Sequence, residues 1–499
     1  MMRRRSFLRT LVTIAATACG LQAPRSEVSP TPDVPPTLVP PTPTLGPLTT
    51  ASPVPPSPAR PPNPYGTVDA TTLDRKLLFG YNGFCHTAGD GSALGDWWQD
   101  WSGDPTRIPG PETIAVDNWP DMSELDPDEL FPTDLRYPDG RVVSVFSSFR
   151  QKTVVRHFRW MGQYGLDGVL VQRFPTSPWD PKERAFRDAV QGHVREGCET
   201  YGRVFALEYD IGSMRRNPRN TQLLGPADLV EEIQDDWKYL VDITNVTESQ
   251  CYLRHRGHPV LSIYGLGLPG RPGSVSQAQE LIAWFTRDAP ERYRVVLMGG
   301  VLTDWRTSPG PTKDPGWLDV VRSFDAIQPW NVGSGWPPGR SMRTDEEVQA
   351  FRRNVIDGDV AESRRLGKAY MPVIFPGISW SNRARFQSTL PDHQVPGPLD
   401  ELNAVPRRAG AFWWRQLYEC ISAGCQMIKG AMFDEVDEGT AMFKLAATAR
   451  DAPARPRFVT LDIDGLALPS DWYLRLAGAG TRMLRGEIPL TPDVPIKPS

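Results

Sequence analysis

Cysteine is scarce in this 499-residue chain, and its spacing fits no framework. The six are Cys19, Cys85, Cys198, Cys251, Cys420 and Cys425, and no two stand as CxxC. With Cys19 set aside an odd number remains, so neither a disulfide scaffold nor a zinc site organises the fold. Basic charge is not in excess either. Lys and Arg number 55 against 59 Asp and Glu, a formal net charge of −4, which argues against nucleic acid or an anionic lipid surface as the main partner. The nucleotide-binding patterns GxGxxG and GxxxxGK[ST] are missing after the first strand-like run, which weakens the case for an open, doubly wound sheet. The apolar stretch near the N-terminus, 11–18, is far shorter than the roughly 20 residues a membrane-spanning helix needs.

What is present begins with an address. Met1-Met2-Arg3-Arg4-Arg5 precedes that short apolar stretch, the layout of an export signal. Arg4-Arg5-Ser6-Phe7-Leu8-Arg9 resembles a twin-arginine export motif, and the threonines at 10, 13 and 17 keep the apolar stretch only weakly hydrophobic, which suits that pathway. Ala16-Thr17-Ala18-Cys19-Gly20 resembles a bacterial lipobox, with Cys19 as the acylated first residue of the mature protein. The alternative is an ordinary cleaved signal in which Cys19 is incidental. Residues 1–19 are therefore read as a lipoprotein signal peptide, and an envelope location follows, with the membrane met only through the lipid. Residues 20–64 are Pro, Thr and Ser with almost no large apolar side chains. Such a segment cannot bury enough surface to offset its chain entropy and is expected to remain a disordered tether, largely polyproline II. At about 3.1 Å per residue it can hold a domain on the order of 100 Å from its anchor.

No second low-complexity linker interrupts residues 65–499, so one large domain is expected. Eight short apolar runs punctuate it: 78–86, 165–174, 204–212, 258–267, 294–301, 326–333, 370–380 and 427–439. Their Val, Ile, Leu and Phe content suits strands covered on both faces. Amphipathic stretches predict helices at 152–164, 181–201, 226–244, 276–286, 344–366, 408–423 and from Trp472 onward. Strands alternating with helices predict α/β architecture, a single (β/α)8 TIM barrel with a long first loop over 87–151. A loop of that length usually serves function.

In such a barrel the chemistry sits at the C-terminal ends of the strands. The eighth run, IKGAMF, leads directly into Asp434-Glu435-Val436-Asp437-Glu438. Four carboxyls after an apolar strand are hard to explain by packing, because each buried charge must be paired or protonated. Crowded carboxyls push their pKa values apart, which lets one act as acid and another as base. Hydrolysis of a glycosidic bond asks for such a pair, and Glu435 and Glu438 are the candidates. A solvated acidic loop and a calcium site are the alternatives. Sixteen Trp are present, and those near strand ends or in loops offer flat faces for sugar rings, although any single Trp more often fills a core. Candidate sugar contacts are Asp210, Tyr209, Asp434, Asp437, Trp119, Asp117, His86, Trp330 and Trp380, with Asp121 beside them in the first loop. His157 and His193 fall on helices and are read as exterior; His255 and His258 are read as structural. The reading calls for no cofactor and no catalytic metal. It expects a monomer acting on a poly- or oligosaccharide. A non-catalytic carbohydrate-binding surface lipoprotein is the alternative that keeps the tether and the aromatics but needs no paired acids.

Several stretches carry a family resemblance: Gly80-Tyr81-Asn82-Gly83-Phe84, Val116 to Asp121, Phe146-Ser147-Ser148, Asp167-Gly168-Val169 with Gln172-Arg173-Phe174, Met432 to Thr440, and Pro469 to Leu476. Through them the domain resembles bacterial proteins predicted to be xylosidases or arabinosidases, in the glycoside hydrolase family 71/99-like group. A more distant likeness is to family 99 endo-α-mannosidases, whose last strand carries Asn-Glu-Trp-His-Glu-Gly-Thr where this chain has Asp434 to Thr440. Both Glu, the Gly and the Thr are retained; Asp434, Val436 and Asp437 depart. The likeness implies that Glu435 activates the substrate's own 2-hydroxyl for attack on the anomeric carbon. It implies that Glu438 protonates the leaving oxygen and later activates water.

Overall fold

The computed structural model describes residues 63–175, 180–212, 228–308, 313–390 and 397–498. The signal peptide, Cys19 and the tether through residue 62 lie outside the described residues. Eight parallel strands form the core: β1 (Leu77–Tyr81), β4 (Gly168–Arg173), β5 (Val204–Asp210), β7 (His258–Tyr264), β8 (Val296–Val301), β9 (Ala326–Pro329), β10 (Ala369–Tyr370) and β11 (Ile428–Met432). Their order across the sheet is β10-β9-β8-β7-β5-β4-β1-β11. The first loop contributes a separate antiparallel hairpin, β2 (Phe131–Arg136) and β3 (Val142–Val145), and β6 (Arg254–His255) pairs antiparallel with β7. Helices flank the sheet: α1 (Gln151–Tyr164), α2 (Pro181–Tyr201), α3 (Asp228–Asp242), α4 (Val275–Ala283), α5 (Gly316–Ser323), α6 (Asp345–Phe351), α7 (Asp357–Leu366), α8 (Ser381–Gln387), α9 (Ala411–Ser422) and α10 (Trp472–Arg485).

Local chemistry explains the boundaries. Asp180 caps α2 by accepting from the Lys182 and Glu183 amides, Pro181 opens it, and Gly202 ends it in the left-handed region. The expected helix over 344–366 is three pieces, because a π-helical turn over Arg352–Ile356 separates α6 from α7. Gly168 starts β4 against β5, where an added Cβ would lie 1.8 Å from the Val204 carbonyl oxygen, so only glycine fits. Strands β1, β8 and β11 are buried at every position, as parallel strands covered on both faces should be.

The expected closed ring of strands is not completed. The sheet is a barrel-like, open assembly whose edges, β10 and β11, are joined among the described residues at one isolated parallel bridge between Val373 and Lys429. The reason is in the seventh run: β10 spans two residues, and Pro372 then removes the amide that a longer ladder would need. What remains is one contact, the Ile374 amide donating to the Lys429 carbonyl at 2.8 Å and the Lys429 amide donating to the Pro372 carbonyl at 3.0 Å. Among the described residues no helix is long and apolar enough to cross a membrane.

Candidate active site

The segment after β11 turns sharply at the C-terminal edge of the sheet, and three neighbours hold it. Gly439 lies at φ +70°, and a Cβ there would sit 2.8 Å from the Ser379 amide nitrogen, so the turn passes close against the chain that follows β10. The Ser379 amide donates to the Glu438 carbonyl at 3.0 Å. Buried Arg407 donates to the carbonyls of Gly439 and Ala441, each at 2.8 Å, and to Asn118 Oδ1 at 2.7 Å. The Asp117 and Asn118 amides both reach the Val436 carbonyl at 2.9 Å.

The four acids divide by what satisfies them. Asp434 is buried, and its two oxygens accept from the Asn82 amide at 2.7 Å and the Gly83 amide at 2.8 Å. It staples the end of β1 to the end of β11; burial raises its carboxyl to about 6. Glu435 is half-buried and held by side chains: Asn82 Nδ2 donates at 3.2 Å and Thr440 Oγ1 at 2.6 Å. Asp437 accepts from Arg383 at 3.1 Å. Glu438 lies 3.7 Å from the same guanidinium. Burial first, then the charges of Asp437 and Asp210, push the Glu438 carboxyl up to about 7 against the opposing Arg383 and Arg271 cations. Glu435 is pushed well above the ordinary carboxylate range by burial first, then by the charges of Glu438 and Asp437. Two carboxyls that repel each other in a recessed site hold protons that an exposed pair would lose. Glu435 and Glu438 nevertheless keep part of their surface open.

Around this pair stand groups from other strand ends. Asp210, at the end of β5, accepts from the Gly212 amide at 2.7 Å and pairs with Arg271 at 3.4 Å. The Arg271 guanidinium lies 5.6 Å from the Tyr264 ring centroid, and that ring lies 5.5 Å from Trp330. Lys429 Nζ sits 5.3 Å from the Trp330 ring. Lys429 is itself buried and donates to Glu208 Oε1 at 2.6 Å, while Ser262 donates to the other Glu208 oxygen at 2.9 Å. Half-buried Trp380 immediately precedes α8, the helix that carries Arg383. Asp437 and Asp210 therefore stand with Glu435 and Glu438, Trp330 is joined to them through Tyr264, and Trp380 follows Ser379, whose amide holds the Glu438 carbonyl.

Five other candidates are not placed as expected. Asp434 is occupied as described. Asp117 is fully buried and accepts from the Ser381 amide at 2.6 Å and the Asn382 amide at 2.8 Å. It caps the start of α8 rather than lining a sugar subsite. Trp119 is fully buried against Trp101 and Phe458. Tyr209 is buried, and its hydroxyl donates to Asp236, which also binds Arg173. Strand alternation sends Tyr209 to the helix side, opposite Glu208. His86 is fully buried between Ser92 and Asp90 and packs edge-on against Phe186. Asp121 accepts from the Ser123 amide within a local turn. His157, read as exterior, is buried beside the Tyr81 hydroxyl at 3.0 Å, and burial lowers it to about 3.

Sequence reasoning did not single out Arg383 or Arg271, because an isolated Arg in a loop or at a helix start carries no periodic signal. Nor did it assign a role to Asn82, although Gly80-Tyr81-Asn82-Gly83-Phe84 had marked the end of the first run. Of the four acids that the calcium alternative would use, Asp434 accepts from two amides and Asp437 from Arg383. Among the described residues the acids close enough to share a cation are Asp126, Asp128 and Glu129, in the first loop. Lys152 and Arg156 already pair with them. A surface hollow of about 680 Å³ opens at the opposite edge of the sheet, lined by Asp242, Arg254, His258 and Glu291, and none of the candidate site residues line it.

No protein-family model matches the chain, and no curated protein matches it by sequence. Solved structures do. The GH99 endo-alpha-mannosidase from Bacteroides thetaiotaomicron superposes with a TM-score of 0.55 at 15% identity, covering 83% of this chain and 99% of that one. A structure of the GH99 endo-alpha-mannosidase from Bacteroides thetaiotaomicron in complex with BIS-TRIS-propane gives the same TM-score and coverage at 14% identity. At such identity the likeness establishes a shared fold over most of the chain.

Proposed function

We propose that this protein is a glycoside hydrolase that cleaves O-glycosidic bonds of a poly- or oligosaccharide at the C-terminal edge of its sheet. One observation carries the reading: Glu435 and Glu438 stand together at a strand end, recessed yet partly open, both carboxyls raised by burial and Glu435 raised further by the Glu438 charge. Near neutral pH such a pair holds one proton between its members. The hydrogen bonds from Asn82 and Thr440 favour the negative charge on Glu435. With Glu435 as the base that the resemblance implies, the proton of the pair belongs on Glu438, the division of labour a glycosidase needs, and the Asn82 and Thr440 bonds work toward it against the burial that raises Glu435. In the route that the resemblance implies, Glu435 takes the proton of the substrate's 2-hydroxyl as that oxygen attacks the anomeric carbon. Glu438 gives its proton to the departing oxygen, then deprotonates the water that attacks the anomeric carbon and breaks its bond to O2, while Glu435 returns its proton to that oxygen and restores the 2-hydroxyl. The fold shared with a family 99 enzyme supports the same reading, as do the half-buried Trp330 and Trp380 as flat sugar platforms.

The test is a panel of aryl glycosides, xylosides and arabinosides among them, and of plant and microbial polysaccharides. Turnover is expected, and Glu435→Gln and Glu438→Gln should each lower kcat/KM by about 10²–10⁴-fold. Turnover unchanged in both variants would sink the assignment.

Export and lipid attachment belong to the same proposal. The Arg4-Arg5 motif and Cys19 would send the folded chain across the membrane and leave it anchored by acyl chains, with the tether as a stalk. Labelled fatty acid should enter the protein in the bacterium and be absent in Cys19→Ser; equal incorporation in both would remove the anchor.

A further inference from the structure

We propose that Arg383 is a positioning residue for Glu438, and that Asp437 and Arg383 work as an opposed pair that sets the protonation of that acid. The inference rests on the reading of Glu438 as the acid, but its geometry stands by itself. Arg383 lies on α8, the helix whose first amides are capped by Asp117 from the long first loop. Its guanidinium Nη1 meets Asp437 at 3.1 Å and Glu438 at 3.7 Å. One cation thus touches two successive carboxyls, both mostly shielded, with side-chain exposures of 16% and 15%.

The charged and titratable groups that face Glu438 come from four sides. Asp437 and Glu435 flank it on its own segment, Arg383 approaches from α8, Asp210 from β5, and Arg271 from beyond β7. Tyr264, at the end of β7, senses Glu438 but remains neutral, its hydroxyl pushed up by burial. Without Arg383, Glu438 would face three carboxyls with only the Arg271 cation, which Asp210 already engages. Its proton would then be too tightly held to be given up easily. Without Asp437 the Arg383 charge would fall on Glu438 alone, and the acid would lose its proton too early. Removing either member therefore moves Glu438 in opposite directions, which a merely structural contact would not do.

Two measurements on the full-length protein test this. The first is the alkaline limb of the kcat/KM profile on whichever glycoside is turned over. The second is a carboxyl ¹³C NMR titration of glutamate-labelled protein, with the Glu438 signal assigned by its loss in Glu438→Gln. Arg383→Gln should raise the Glu438 midpoint by about one pH unit, and Asp437→Asn should lower it by about the same. Arg383→Lys should stay near wild type, because it keeps the charge. Should Arg383→Gln fail to fold, Asp437→Asn and Arg383→Lys still read the proposal. Shifts in the same direction, or a Glu438 midpoint unmoved by Asp437→Asn, overturn it. The NMR arm needs no substrate, so opposed shifts without any turnover would retain the Arg383 assignment and reject the glycosidase reading instead.

Discussion

The turn after β11 and the first-loop segment 117–121 meet at the Val436 carbonyl, are both rich in acids, and use them in opposite ways. In the first loop Asp117 gives both oxygens to backbone amides, and Trp119 closes the core beneath it. In the turn Asp434 does the same work for Asn82 and Gly83, whereas Glu435 and Glu438 have no backbone amide among the contacts described above and face each other and their side-chain neighbours. A carboxyl satisfied by fixed amides is part of the frame. A carboxyl satisfied by side chains and opposed by another carboxyl keeps a proton that can be moved. The useful distinction is thus the donor type, not the number of acids.

The comparison can be broken in three further ways. The largest effect is expected beneath both segments, at the buried Lys429–Glu208 pair. Lys429→Met leaves the Glu208 charge uncompensated and should cost about 3–5 kcal/mol, whereas Lys429→Met with Glu208→Leu should recover most of the loss. Chemical denaturation of both variants checks this, and equal stability of the two would show that the pair is not coupled. Next comes the division within the turn. Asp434→Ala strands two buried amides and should cost about 2–4 kcal/mol, while Glu435→Gln should leave the melting temperature within a few degrees of wild type. If Glu435→Gln is the more destabilising, the two acids have been assigned the wrong way round.

The smallest effect is a pH slope. Burial raises Asp117 and Asp434 to about 6, against about 4 in an unfolded chain. Between those values the native state binds more protons than the unfolded one, so this contribution to stability falls as pH rises from about 4 through about 6, then levels off. Asp117→Asn should flatten that slope, seen as a smaller change in melting temperature between the two ends of the window. An unchanged slope would mean that Asp117 titrates normally.

Much of the scaffold could be read in advance. The eight apolar runs are strands where expected, except that Pro372 cuts the seventh to two residues and leaves the ring open. The hairpin of β2 and β3 was missed because it lies inside what reads as one long loop. Tyr209 was misplaced although alternation already set it opposite Glu208, and Trp119 and His86 were counted as surface because composition cannot separate a buried aromatic or imidazole from an exposed one.

By itself the sequence determined the alternation of strands and helices and the four acids that follow the last strand, since both depend on residue order along the chain. Only the tertiary structure decided which acids became frame and which became site. The amides that occupy Asp434 come from Asn82 and Gly83, more than 300 residues away, and those that occupy Asp117 come from Ser381 and Asn382. A carboxyl's proton affinity is set by the atoms within a few ångströms of it, and here those atoms arrive from distant parts of the chain.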